Sequence, residues 1–266
     1  MAFIEVSGVS KMFGAGNDKR EVLSDASLSV ARGEFVSIVG MMGCGKSTFL
    51  KILAGLIAPD SGQVKIAGSV VRGVQPNAAI VFQNYSLLPW FSALENVRLA
   101  VGAAFPGWTR DRQREQAAHH LEAVGLGGAL QRRPSQLSGG MRQRVAIARA
   151  FATEPEILFL DEPFGALDAL TRESLQQELV RLSSSAHRTV TTVMITNSVE
   201  EALLLSDWII PMTRGEHALG TPVRVELQRP RTASEITHDD HAAHVRAHVV
   251  ASLTRDLKPT TKRRVA

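Results

Sequence analysis

Two stretches of this chain carry residues whose types and spacing could handle a phosphate group. Gly40-Met41-Met42-Gly43-Cys44-Gly45-Lys46-Ser47-Thr48 fits G-x-x-x-x-G-K-[ST], with Gly40 and Gly45 as the fixed glycines. Glycines there free backbone N–H groups to form a concave anion site, and a following helix adds its positive end. Lys46 would reach the β- and γ-phosphates of a nucleotide, and Ser47 would ligate Mg²⁺. The second stretch is Ile157-Leu158-Phe159-Leu160-Asp161-Glu162-Pro163, four apolar residues ending in two adjacent carboxylates. In nucleotide sites of this kind the first, Asp161, supports Mg²⁺, and the second, Glu162, polarises the attacking water.

These residues need a strand, a loop and a helix to position them. Glu34 to Val39 is apolar and β-branched and reads as a buried strand entering the glycine loop. Phe49, Leu50, Ile52, Leu53 and Leu56 then recur at helical spacing until Gly55 and Pro59 stop the pattern. Further strands are expected at Phe3–Val9, Val22–Val30, Gln63–Ala67, Ala78–Phe82, Ile157–Leu160, Val190–Ile195 and Trp208–Met212. Between Asn84 and Ala150 strand patterns vanish and helices are expected, among them Arg110–Val124 and a basic-apolar helix over Met141–Ala150. The order implies an α/β protein whose mixed-sheet core is interrupted by a helical insertion at about 84–150. The core would span 1–225, and 226–266 would form a C-terminal extension.

Composition limits the function classes. The 266 residues are 44% hydrophobic and 21% charged, as in a globular protein. The net charge of +4 draws on a tail with Lys258, Lys262, Arg263 and Arg264, which reads as solvated, not as a nucleic-acid surface. A single cysteine, Cys44, excludes an internal disulfide and suits a reducing cytosol. Met1 to Glu5 lacks the character of a cleaved leader, and no apolar run approaches the ~18 residues that span a bilayer. A chain soluble by itself is expected.

A third motif, Leu137-Ser138-Gly139-Gly140-Met141-Arg142-Gln143-Arg144, is by itself a serine-capped helix start. Lying just ahead of the Asp161 stretch and after the glycine loop, it resembles the signature sequence of ATP-binding cassette (ABC) transporter ATPases. The resemblance runs from about Phe3 to Thr221 and implies a P-loop NTPase fold of ABC type that binds ATP and Mg²⁺. It implies ATP contacts from Gly40, Gly43, Cys44, Gly45, Lys46, Ser47 and Thr48, and Mg²⁺ held by Ser47, Gln83 and Asp161. Phe13 matches the aromatic that stacks on adenine, with a buried strand-end aromatic as the alternative. Gln83 matches the Q-loop glutamine, and Ala166-Leu167-Asp168 the loop that crosses the dimer interface. Two such domains pack head to tail in the family, with ATP between Lys46 of one and Ser138, Gly139, Gly140 and Gln143 of the other. A second cassette, identical or paralogous, is therefore an implied partner.

One position departs from the family pattern. Where a histidine contacting the γ-phosphate is usual, this chain has Asn197, in Met194-Ile195-Thr196-Asn197-Ser198. Asparagine can hydrogen-bond a phosphate oxygen but carries no proton or charge. Two readings follow: an active ATPase in which Asn197 with Gln83 and Glu162 suffices, or a slow regulatory half beside a competent paralogue. Leu87-Leu88-Pro89-Trp90 and the run Trp208 to Gly215 resemble the ATP-binding subunits of bacterial importers for nitrate, sulfonate and taurine. That likeness implies transmembrane permease subunits as partners, a solute-binding protein beyond them, and a peripheral place on the cytoplasmic face of the membrane. Trp90 and Phe91 would either help form the permease contact or tuck against the helical insertion. His238, His241, His244 and His248 could share one helix face, but the tail reads as a solvated, partly amphipathic helix through Val245, Val249 and Leu253.

Overall fold

The computed structural model describes residues 2–165, 167–183, 190–214 and 217–255. Ala166, His187, Gly215 and the basic tail residues Lys258, Lys262, Arg263 and Arg264 lie outside them. Two compact units divide the chain.

The first unit draws on Met1–Ala31, Val36–Arg72 and Thr196–Ala266. Strands β1 (Ala2–Phe13) and β2 (Arg20–Ala31) pair antiparallel, with Phe13 opposite Arg20 across the turn. Strands β4 (Ser61–Ile66) and β5 (Ser69–Val70) extend this sheet in the order β2-β1-β4-β5. Both long strands overrun the expected limits, because their polar ends still find ladder partners that apolar alternation does not announce. Strand β3 (Phe35–Gly40) is buried throughout and feeds the glycine loop and helix α1 (Lys46–Leu53). Beside it runs β9 (Trp208–Met212), parallel, with Gly40 opposite Met212. A short strand, β10 (Val223–Arg224), closes antiparallel on β9.

Helices α6 (Val199–Leu205), α7 (Ala233–His238) and α8 (Asp240–Arg255) complete this unit. The expectation of a solvated tail helix is overturned here. Ala242, Val245 and Val249 of α8 are buried in one cluster with Val39, Ala202, Leu203 and Ile209. The apolar stripe is covered by the core, which favours docking by about 1.5–3 kcal/mol per buried valine. Arg231 seals the junction: Nη1 donates to Leu203 O at 2.5 Å and Ser206 O at 2.8 Å, and Nη2 to Leu227 O at 2.6 Å. It thereby caps carbonyls that the end of α6 leaves without helical partners.

The second unit takes Arg32–Phe35 and Gly73–Ile195. Strand β7 (Ile157–Asp161) runs parallel to β6 (Ala78–Val81) on one side and β8 (Thr191–Thr196) on the other. Its helices are α2 (Ala93–Ala104), α3 (Arg110–Ala123), α4 (Gly139–Phe151) and α5 (Ala169–Ser183). The first three start at hydroxyl caps, with Ser92, Thr109 and Ser138 accepting from the N–H three residues on. Each such cap contributes about 1 kcal/mol and fixes where its helix begins. Arg144 of α4 ties its neighbours, donating to Glu178 Oε2 of α5 at 2.5 Å and to Val124 O after α3 at 3.0 Å.

Candidate functional site

The loop between β3 and α1 is shaped by three glycines that no other residue could replace without movement. A β-carbon on Gly40 would stand 2.5 Å from Met212 O and 2.7 Å from Cys44 Sγ. Gly43 and Gly45 have φ of +78° and +109°, and a β-carbon on Gly45 would meet Val22 O at 2.6 Å. The backbone therefore curls tightly and presents α1 end-on, with its positive dipole end at the loop. Ser47 and Thr48, half-buried, occupy that first turn. Cys44 is buried behind the loop, and burial pushes its thiol pKa up, partly opposed by the charge of Lys46.

Lys46 is 4% exposed, unusual for a cation without compensation. Its ammonium donates to Gly40 O at 2.9 Å, Met41 O at 3.1 Å and Asn197 Oδ1 at 2.7 Å. Asn197 is held at this spot by its neighbours. Thr196 Oγ1 donates to Glu201 Oε2 at 2.5 Å, Ser198 N donates to Thr196 Oγ1, and Ser198 Oγ caps α6. Beside the loop lies a cavity of about 380 Å³, whose lining includes Arg20, Val22, Gly43 and Arg214. Phe13 stands at the end of β1 with 43% of its surface exposed, so the reading as a buried strand-end aromatic does not hold. Lys11 Nζ lies 5.6 Å from its ring centroid.

In the second unit, β7 delivers Asp161 buried at its C-terminal end. Glu162 follows in the left-handed region, φ 45°, its N–H bound to Ile195 O at 3.0 Å. A non-glycine residue there is strained by about 1–2 kcal/mol, as functional residues often are. Gln83 Nε2 lies 3.5 Å from Glu162 Oε2, a long contact that brings two of the three expected catalytic side chains together. Ser138 Oγ accepts from Met141 N at 3.2 Å at the head of α4. Gly140 permits close packing of α4 on α5, since a β-carbon would stand 2.4 Å from Thr171 Cγ2. Asp168 caps α5 through Thr171 N at 3.0 Å, and that bond holds its carboxyl below the usual range. Gln143, by contrast, is fully buried, and neither atom of its amide has a partner among the described residues.

Comparison with known proteins meets this geometry directly. The family model for the ABC transporter matches residues 23–165, more than half of the chain, including the glycine loop, the serine-capped α4 and the β7 carboxylates. The chain belongs to the ABC transporter family. It is 45% identical to the nitrate import ATP-binding protein NrtD of Synechococcus elongatus, over 95% of this chain and 92% of that one. It is 43% identical to the nitrate transport protein NasD of Klebsiella oxytoca, over 93% and 94%. With the bicarbonate transport ATP-binding protein CmpD of Synechocystis it shares 44% identity over 90% and 84%. Among solved structures, the ATP-binding cassette MJ0796, dimeric in a post-hydrolysis state with ADP and Pi, superposes with a TM-score of 0.74. That match is 30% identical and covers 85% of this chain and all of that one. The fold is that of an ABC ATPase cassette.

The cassette also contains positioning groups that sequence reading missed. Arg214 donates through Nε and Nη2 to Gly43 O, at 3.0 and 2.9 Å, bracing the glycine loop from a position far along the chain. Asn96 is buried and shapes the loop over 88–92: it accepts from Leu88 N at 2.7 Å and donates to Leu88 O, Phe91 O and Ser92 O. That loop carries Trp90, 63% exposed, with Phe91 half-buried edge-on at 6.3 Å between centroids. The polarity of Asn96 within an apolar helix face was the available signal; for Arg214 there was none.

Proposed function

We propose that this cassette is the ATP-hydrolysing subunit of a bacterial importer for a small anion of the nitrate or bicarbonate kind. The observation that carries the reading is the glycine cradle with buried Lys46 at its floor, shaped so that even a β-carbon would collide. An anion fits such a cradle: the loop amides and the start of α1 offer donors, and Lys46 supplies charge. ATP would lay its β- and γ-phosphates there, with the adenine toward exposed Phe13. Asp161, Ser47 and Gln83 carry the hard oxygen donors suited to Mg²⁺ and would hold it, and the ion when bound would neutralise phosphate charge.

Glu162 would orient a water for in-line attack on the γ-phosphorus. The new P–O bond forms to water oxygen as the bond to the β–γ bridging oxygen breaks, and the water proton leaves toward the Glu162 carboxylate. Asn197 would donate to a γ-phosphate oxygen. Ser138, Gly139, Gly140 and Gln143 would face the ATP of a second cassette, with Asp168 at the interface. Buried Gln143 would then act by supporting the helix start. The Trp90–Phe91 loop would meet a membrane permease, itself served by a solute-binding protein. The cassette would sit peripherally on the cytoplasmic face; no described helix is long and apolar enough to cross a membrane. Residues 1–225 would form the cassette with the helical insertion at about 84–150, and 226–266 the extension.

Steady-state ATP turnover by the purified protein tests this reading. Glu162→Gln should abolish turnover while nucleotide binding persists. Turnover that survives Glu162→Gln would refute the assignment.

A further inference from the structure

The loop after Gln83 is held in a shape that two of its own residues resist. Tyr85 and Ser86 both lie in the left-handed region, at φ 63° and 45°. There a β-carbon crowds the backbone carbonyl, and such residues persist only where the surroundings over-determine them. Arg149, in the last turn of α4, supplies that constraint: Nη2 donates to Tyr85 O at 2.8 Å and Nη1 to Ser86 O at 2.6 Å. Burial lowers the pKa of this guanidinium, and its fork is spent on the two loop carbonyls, not on a carboxylate. The Tyr85 side chain reaches the opposite end of the same helix. A β-carbon on Gly139 would lie 3.5 Å from Tyr85 Oη, and the Arg142 guanidinium is 5.6 Å from the ring centroid. The sole tyrosine of the chain is thus gripped at its carbonyl by the end of α4 while its hydroxyl lies against the start.

We propose that Tyr85 and Arg149 are positioning residues that tie Gln83 to the signature helix, so that Gln83 and the Ser138 turn move as one body. The inference rests on the ATPase reading above. In a head-to-tail dimer Gln83 serves the ATP of its own chain and Ser138 that of the partner. A rigid link between them makes the completion of one site depend on the other. Loosening the link should therefore lower turnover while leaving nucleotide affinity for the glycine loop intact.

The test compares wild type, Tyr85→Phe, Tyr85→Ala and Arg149→Lys in the full-length protein, measuring kcat and the Kd for a fluorescent ATP analogue. Thermal midpoints are recorded alongside. Tyr85→Ala should reduce kcat by about tenfold or more with Kd within about twofold, the signature of a group acting only on the assembled reaction. Tyr85→Phe, which keeps the ring beside Arg142 and loses only the hydroxyl contact, should lie between wild type and Tyr85→Ala in kcat. A kcat loss in Tyr85→Ala that comes with a fallen thermal midpoint and a raised Kd would mean a role in folding alone and overturn the tie. Arg149→Lys should behave like Tyr85→Ala, because an ammonium does not match the two-pronged fork. If Arg149→Lys does not fold, Tyr85→Ala decides alone. Wild-type turnover with a fully active Tyr85→Ala protein overturns the tie. Absence of wild-type turnover overturns the ATPase reading instead.

Discussion

Lys46 Nζ donates to Asn197 Oδ1 at 2.7 Å across 151 residues of sequence. Because an ammonium has donors and no acceptor, the amide atom facing it must be oxygen, and the orientation of Asn197 is set by chemistry. Its Nδ2 donors then point away from Lys46.

The first prediction concerns this pair. Nδ2 has no partner among the described residues and can donate to a γ-phosphate oxygen, as an imidazole N–H could, so Asn197→His should keep turnover within about tenfold of wild type. Asn197→Ala should lower kcat about 100-fold, the scale of one lost transition-state donor. Asn197→Asp keeps an acceptor for Lys46 but replaces the donor with negative charge, so it should be the most impaired. Steady-state kinetics checks the order; an unimpaired Asn197→Asp protein would remove Asn197 from the reaction.

Cys44 offers a probe of the cradle. Its raised thiol pKa, caused first by burial, keeps it protonated near neutrality and slow to react. Labelling by iodoacetamide should accelerate with rising pH, and ATP should suppress it further. Equal labelling with and without ATP would contradict a nucleotide on this loop.

The docked extension predicts a stability effect distant from the phosphates. Arg231 is 7% exposed and donates to carbonyls of Leu203, Ser206 and Leu227. Arg231→Ala strands those acceptors and opens a gap beside α6, and should destabilise by about 3 kcal/mol, read by urea denaturation. Val245→Ala should cost about 1–2 kcal/mol from lost burial alone. An unchanged midpoint in both would mean that α8 is not part of the fold's core.

His120 sets a pH dependence. Burial is the largest cause lowering its pKa, with a hydrogen bond between Nδ1 and Gln116 O at 3.0 Å partly opposing and His119 and Glu154 nearby. The folded state thus binds this proton less readily than the unfolded chain. Stability should fall as pH drops through the ordinary histidine range near 6.5, where the unfolded state gains the proton first. His120→Gln should flatten that part of the stability–pH curve; an identical slope in the variant would exclude His120 as its source.

The sequence by itself determined what is local. The β3–loop–α1 unit, the carboxylates ending β7 and the Ser138 cap each depend on a few consecutive residues, so glycine geometry, apolar runs and capping chemistry made them legible. The resemblance to ABC ATPases then ordered those pieces, and the family comparisons agree. Tertiary structure decided the pairings across long separations. Asn197 against Lys46, Arg214 beneath Gly43, Arg149 gripping the loop after Gln83, and Arg231 closing α6 have no sequence period to announce them. An arginine or asparagine reads as surface in a string of letters. Only packing reveals where its donors find buried carbonyls. The same reason explains the C-terminal helix: Val245 and Val249 declare an apolar face, but burial depends on a complementary surface from α6 and β9, which the chain supplies only once folded.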